Sequence, residues 1–423
     1  MTKDPADSEH KLSRRSLLGA LPATAAGLAL DSLAAKAAPQ RSKEDVIKAE
    51  HDKSGTNPIG PANAALSQQN PDSVTPPPTD HGNVPPFKYP FSFSHKRTQE
   101  GGWARQVTVE DLPISKSIAG VNMRLTAGGI RELHWHQAAE WAFMLYGSAR
   151  ITAIDTGGQS FVDDVREGDI WNFPSGIPHS IQGLAPDGCE FLLVFDDGAF
   201  SEYETTSLTD LLAHTPPSAL VKSFGVPPAA FSKIPSYERY IFQGEVPGPL
   251  EADQRAATGR MGRSKPFDFR LTRMEPNKRT RGGEVRIVDS KNFPASTTIA
   301  AALVTVHPGG IRELHWHPNA DEWQYYIKGS ARMTVFAAGA RARTMDFQRG
   351  DVGYIQKTFP HYIENTGDGD LSFLEMFRSD HYADISLSNW LSHTPPQLVA
   401  EHLGFDRATL DAIPKDEVVV MPL

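Results

Sequence analysis

The sequence predicts an all-β protein built as two barrels in tandem, each closed by short helices, and three observations point there. The stretch "GGIRELHWH" occurs twice, at Gly128 to His136 and again at Gly309 to His317. The repetition continues in register: "GSAR" at Gly147 to Arg150 matches Gly329 to Arg332, Gly168 and Asp169 match Gly350 and Asp351, and "HTPP" begins at His214 and at His393. Self-similarity at this period marks a duplicated structural unit. Within each unit, short runs rich in Val, Ile, Phe, Tyr and Trp alternate with Gly, Pro and Asp turns, as in "ARITAID" and "EFLLVFDDG" or "ARMTVFA" and "LSFLEMF". That is the pattern of a β-barrel or sandwich.

In chain order, residues 1–38 read as a twin-arginine export signal, with "SRRSLL" at Ser13 to Leu18, a mildly apolar run from Leu17 to Leu30 and "AKA" at Ala35 to Ala37. A paired arginine directly before a weakly hydrophobic, Ala-rich run is the mark of such an address, so export to the periplasm or the cell exterior is expected. Residues 39–86 form a Pro-rich N-terminal arm or linker, with "TPPPTD" at Thr75 to Asp80 and no sustained periodicity. The first barrel is expected over residues 87–243 and the second over 244–423. Each closes in a helical patch, Leu208 to Ile234 and Leu387 to Ile413, carrying "LTDLLAHTPP" and "LSNWLSHTPP". These patches predict the capping helices.

Composition narrows the classes. A chain of 423 residues exceeds the size at which one core keeps growing, in keeping with two units. Apolar residues at 39% and charged residues at 22% suit a soluble globular protein, and no later apolar run is long enough for a bilayer, so no membrane partner is expected. A formal net charge of -9 without a basic stripe argues against nucleic acid. The one cysteine, Cys189, excludes an intramolecular disulfide and reads as a buried strand residue.

In "HWH" the histidines stand at i and i+2, so on a strand both imidazoles leave one face and the intervening tryptophan leaves the other. His134 with His136, and His315 with His317, therefore point into a barrel. Glu140 follows three residues beyond the first pair and Glu322 four beyond the second. One residue of slip would reverse the face of a continuous strand, so a turn must separate pair from carboxylate. A last histidine follows Pro-containing turns, His179 in "FPSGIPH" and His361 in "IQKTFPH". Three imidazoles and a carboxylate suit Mn, Fe, Co, Ni or Cu, and the hard oxygen ligands tilt the choice toward Mn or Fe. Core packing alone has no reason to reproduce the order His, His, Glu, His in both halves.

With these residues in view the chain resembles a known family. "GGIRELHWHQAAEWAFMLYG" and "GGIRELHWHPNADEWQYYIKG" fit the first cupin motif: a Gly, five residues, His-x-His, three or four residues, Glu, six residues, Gly. "GDIWNFPSGIPH" fits the second motif up to its histidine, with Gly183 where the motif has Asn; the second copy keeps Asn365 but carries Gln356 and Thr358 at the Pro and Gly positions. Together with "FLLVFDDG" and "DHYADISLSNWLSHTPP", these motifs resemble the bicupin oxalate decarboxylases over nearly everything after the arm. The resemblance implies two jelly-roll cupin barrels, two Mn ions (one per domain), a need for dioxygen, and conversion of oxalate to formate and carbon dioxide. It places Arg131 and Arg312 over the metals as oxalate clamps, although strict strand parity would turn them away from the ligands' face. Their alternative is a solvent-facing ion pair with Glu132 or Glu313. It also implies a homo-oligomer, a trimer or a hexamer of stacked trimers.

The two copies differ in one loop. Twelve residues separate Phe195 from Leu208, but nine separate the equivalent Phe377 from Leu387. The longer loop reads "DDGAFSEYETTS", polar, with a Gly hinge and little apolar content to anchor it, which predicts a mobile lid. In the resembling family this place holds a lid whose Glu protonates the formyl carbon; Glu202 matches it, whereas Tyr203 and Glu204 depart from the small polar residues usual there. Without a placed acid, oxidation with peroxide release is favoured, so an oxalate oxidase giving carbon dioxide and hydrogen peroxide is the alternative activity. The second unit has Glu375 on a strand where the first has Leu193. A carboxylate on a core strand needs a reason, and Glu375 reads as an acid or base beside the second metal, with Tyr382 near. The first unit is the expected catalytic site.

Overall fold

A computed structural model describes residues 60–73, 84–258 and 265–422; the segment expected as an export signal and most of the arm lie outside these residues. The described chain is mainly β, and none of its helices is long and apolar enough to cross a membrane. In the first half the strand Glu140–Ile154 runs through both sheets of a barrel. Its first part pairs with Cys189–Phe195 and Ile170–Phe173, its second with His179–Gly183 and Ser160–Arg166. Ala119–Leu125 extends one sheet, and Gly129–Trp135 the other. Every pairing is antiparallel. The second half repeats the plan with Ala300–Val306, Ile311–Trp316, Glu322–Lys328, Ser330–Ala337, His361–Asn365 and Leu371–Phe377.

Several strands read as unbroken apolar runs because both of their faces are buried. On Cys189–Phe195, Phe191, Leu193 and Phe195 fill the interior of the first barrel, whereas Leu192 and Val194 join a core shared with Ala301, Trp323, Tyr325, Leu374 and Met376 of the second. The barrels thus pack sheet on sheet. They also exchange strands. Lys88–Pro90 pairs with Asp351–Ile355 of the second barrel, and Asp268–Phe269 pairs with Ile170–Phe173 of the first. Each half completes the other's sheet, so strand membership does not follow chain order. Cys189 is buried, and burial pushes its thiol up to about 12, which leaves it unreactive.

The helical patches form short helices, Leu208–Ala213 and Pro217–Phe224 in the first half, Leu387–Ser392, Pro396–Leu403 and Arg407–Ala412 in the second. "HTPP" accounts for their break: its second proline opens a helix at Pro217 and Pro396, where its missing N–H is not needed. Gly225 and Gly404 then end those helices in the left-handed conformation. Part of the arm, expected only as a linker, is also a built element. A short helix, Ala64–Gln68, is capped by the Asn63 side chain, and beyond it Gln69 accepts from Lys88 Nζ at 3.0 Å and from the Asp346 N–H at 3.1 Å.

Candidate metal centres and active site

Each repeated strand delivers its two histidines to the barrel interior, then turns, and Glu140 or Glu322 opens the next strand. The unequal spacing is absorbed in that turn. His179 and His361 open the strands lying directly opposite His134 and His315. The ligand atoms of His134, His136, Glu140 and His179 come within 4.8 Å of one another, as do those of His315, His317, Glu322 and His361, and all eight residues are buried.

Every imidazole is fixed by its Nδ1. In the first set Nδ1 lies 2.6 Å from Glu132 O for His134, 2.6 Å from Ala138 O for His136 and 2.8 Å from Ile177 O for His179. In the second the partners are Glu313 O at 2.6 Å, Ala383 O at 2.8 Å and Phe359 O at 3.0 Å. A carbonyl partner requires the proton on Nδ1, which leaves each Nε2 lone pair aimed at the cluster. The Nε2 atoms of His179, His315, His317 and His361 and Oε2 of Glu322 are buried with no hydrogen-bond partner. Such orphaned buried acceptors, four in the second set and one in the first, are what a bound divalent cation would satisfy, and both sets bring the same three imidazoles and carboxylate together, so the residues fit Mn. Burial and the nearby guanidinium hold His134 and His315 far below the ordinary imidazole value, so both are neutral and able to ligate. Burial opposes the charge of Glu140 and Glu322, but their paired histidines keep both carboxyls well below the usual range.

The arginines share the ligands' side because the strands are irregular. Arg131 and His134 are three positions apart, but their partners Ile181 and His179 are two apart, and the second copy bulges identically between Arg312 and His315. Neither arginine faces solvent, and neither pairs with the adjacent glutamate. Glu132 instead accepts from the backbone of Thr209, Arg239 and Tyr240, and Glu313 from Ser386, Ser388 and the Val419 N–H. These glutamates tie the capping segments to the site strands.

The two arginines differ in what occupies them. Arg312, fully buried, meets Glu375 at 3.3 Å, Asp384 at 2.7 Å and the Tyr382 hydroxyl at 2.8 Å. Burial opposes its charge, yet these oxygens raise it well above the ordinary arginine value. Arg131 forms no carboxylate ion pair among the described residues; it donates to Tyr240 O at 3.3 Å and lies over the Tyr240 ring, and burial lowers it. Its foremost charged neighbour is Glu202, 8% exposed, on a single 3-10 turn, Glu202–Glu204, that Ser201 caps through the Tyr203 N–H. Burial raises the Glu202 carboxyl against the pull of Arg131 and Arg97, and its Oε2 has no hydrogen-bond partner. The loop is better anchored than its composition suggested: Phe200 stacks on Phe195 at 3.5 Å and meets the His136 ring at 5.7 Å.

A model of the cupin family matches residues 91–230 and again 269–411. The chain is 54% identical over 367 residues to the oxalate decarboxylase OxdC of Bacillus subtilis, covering 86% of this chain and 94% of that protein. The chain belongs to the bicupin oxalate decarboxylases. A probable oxalate decarboxylase of Arthroderma benhamiae is 41% identical, over 86% of this chain and 90% of its own length. A solved structure addressing the Mn(II) centres of the Bacillus subtilis oxalate decarboxylase superposes with a TM-score of 0.84 at 52% identity, covering 88% of this chain and 98% of that one. For a bicupin oxalate decarboxylase, the sequence reading left several site residues unnoticed. Trp171 donates its indole N–H to Glu140 at 3.1 Å, and the Gln324 amide, itself bonded to the Tyr326 hydroxyl, does the same for Glu322 at 2.6 Å. Asp384 was missed as well. Only Glu132 and Glu313 carried a usable signal, since they stand inside the stretch repeated letter for letter.

Proposed function

We propose that the first centre decarboxylates oxalate to formate and carbon dioxide, with Mn in both centres and dioxygen required but not consumed overall. The observation that carries this reading is the pairing of an uncommitted, buried Arg131 with the unpartnered carboxyl of Glu202 over one ligand set and not over the other. Mn held by His134, His136, Glu140 and His179 supplies positive charge, open coordination positions and, with dioxygen, one-electron chemistry. Arg131 offsets the charge of the oxalate dianion where water is excluded. When the carbon–carbon bond breaks and carbon dioxide leaves, Glu202 gives its proton to the remaining carbon, which departs as formate; one proton is taken up per oxalate. In the second centre Glu375 and Asp384 already pair with Arg312, and the Tyr382 hydroxyl accepts from it, so a role in structure or a lesser activity fits it better.

The export signal read in residues 1–38 is taken to send the enzyme to the periplasm or beyond, and the helical patches to join it into trimers or hexamers. The direct test is to incubate Mn-loaded protein with oxalate in air and to assay formate and hydrogen peroxide together. Formate in near-equal yield to oxalate is expected; peroxide without formate would make it an oxidase. Glu202→Ala is expected to abolish formate while Mn content is unchanged, and an undiminished formate yield would remove Glu202 from the reaction.

A further inference from the structure

The strained residue beside each substrate arginine differs between the halves. Tyr240 and Val419 hold equivalent places with φ of 55° and 64°, a left-handed conformation unfavourable for bulky side chains. Both make the same backbone bonds: each N–H donates to Glu132 or Glu313, and each carbonyl accepts from the arginine, Arg131 at 3.3 Å or Arg312 at 3.4 Å. Two residues earlier stand Glu238 and Glu417, which pair with Arg97 at 3.2 Å and Lys278 at 4.0 Å, themselves at matching positions of the two opening hairpins. The first half therefore has Arg, Glu and Tyr where the second has Lys, Glu and Val. Only the first half carries the long loop.

The guanidinium is what that loop reaches through Tyr203. The Arg97 guanidinium carbon lies 3.6 Å from the centre of the Tyr240 ring and 5.8 Å from that of Tyr203, while Arg131 reaches the Tyr240 ring at 4.4 Å. Tyr203 is 84% exposed, so core packing does not account for its place. These side chains border a cavity of about 170 Å³ lined by His95, Arg97, Gln106, Glu202, Tyr203 and Tyr240. The acid of the loop and this aromatic and guanidinium group line the same cavity.

We propose that Arg97 is a positioning residue that latches the loop shut, stacking on Tyr240 of the barrel and facing Tyr203 of the loop so that Glu202 is held in the site. A guanidinium suits this role because it can stack on one ring, face a second and keep its pair with Glu238. Lysine, a point charge without a plane, serves in the half that has no loop to hold. The proposal rests on the decarboxylase reading for its catalytic consequence but not for the latch itself.

Hydrogen exchange of the loop amides, residues 198–205, in the Mn-loaded full chain tests the latch directly, with formate and peroxide assayed in parallel. Tyr203→Asn should speed loop exchange roughly two- to fivefold, the size of an exposed cation–π contact, and Arg97→Met more, on the order of tenfold. Both should raise the ratio of peroxide to formate at unchanged Mn content, and Tyr203→Phe should behave as the parent. Once Arg97 is Met, Tyr203→Asn should add nothing, since the two act through one contact. Unchanged loop exchange in Tyr203→Asn, or effects of the two substitutions that simply multiply, would overturn the latch. If the parent chain makes neither product from oxalate, the decarboxylase reading fails, while the exchange result still decides the latch.

Discussion

Glu132 gathers four donors on one buried carboxylate: the Thr209 N–H at 2.8 Å, its hydroxyl at 2.5 Å, the Arg239 N–H at 2.7 Å and the Tyr240 N–H at 3.0 Å. Charge-assisted bonds of this kind are the strong ones, and a Gln here would turn an amide N–H₂ against donors. Glu132→Gln should destabilise the protein by about 2–4 kcal/mol in urea unfolding. It should also lower kcat without loss of Mn, because Tyr240 O helps to aim Arg131. For Glu202 the sign of the pH dependence follows from its environment. Burial raises its carboxyl, so the proton needed for formate is present on the acid side and is lost as pH rises through that raised value. A pH profile of kcat for formate at constant Mn content should fall as pH rises through that value, and a profile that is flat or rises in that direction would remove Glu202 as the acid. The ligands themselves were legible because His-x-His, Glu and a final His recur in both halves. Of the partners of Arg312, Glu375 and Tyr382 were legible beside the second metal, but Asp384 was not, since it is distant in sequence and only the loop path brings it to the guanidinium.

At the level of elements, the first cupin motif ends on a glycine for a reason that its spacing does not show. Gly147 has φ of 74° inside the long strand Glu140–Ile154, and a Cβ there would lie 2.1 Å from Gly188 O. Both the conformation and the space exclude a side chain. Gly147→Ala should lower stability by about 2–4 kcal/mol, combining left-handed backbone strain with a clash against backbone that cannot rotate away. A midpoint in denaturant unchanged from the parent would show that the strand can re-form around the methyl group. Alternating runs and turns sufficed to read the strands, and the helical patches after them to read the capping helices, whose breaks at Pro217 and Pro396 the structure supplied. The bulge between Arg131 and His134 was invisible, because nothing in "RELHWH" says which residue the opposite strand will skip. That single extra residue is what brings the arginine to the metal's side.

Over the whole molecule, the exchanged strands make the barrels mutually dependent. Lys88, on the strand lent to the second barrel, meets Asp351 at 2.9 Å with both side chains nearly inaccessible. Removing one partner of a buried pair strands the other charge, so Lys88→Met should destabilise by about 3–5 kcal/mol. With each sheet completed by the other half and a core shared between them, metal-free protein should unfold in one calorimetric transition. Two resolved transitions in the parent chain would show the barrels to be independent.

The sequence by itself determined the duplication, the all-β class and both ligand sets, because a repeat, a period of two and fixed ligand spacing are local properties written in the order of residues. Only the tertiary structure decided which copy of "GGIRELHWH" has a free arginine. That outcome depends on where the bulges fall and on which distant side chains the loops carry in. Arg312 meets Glu375, Tyr382 and Asp384, whereas Arg131 meets the Tyr240 ring and pairs with no carboxylate among the described residues. The same nine residues are thus placed in two electrostatic environments that no spacing rule distinguishes.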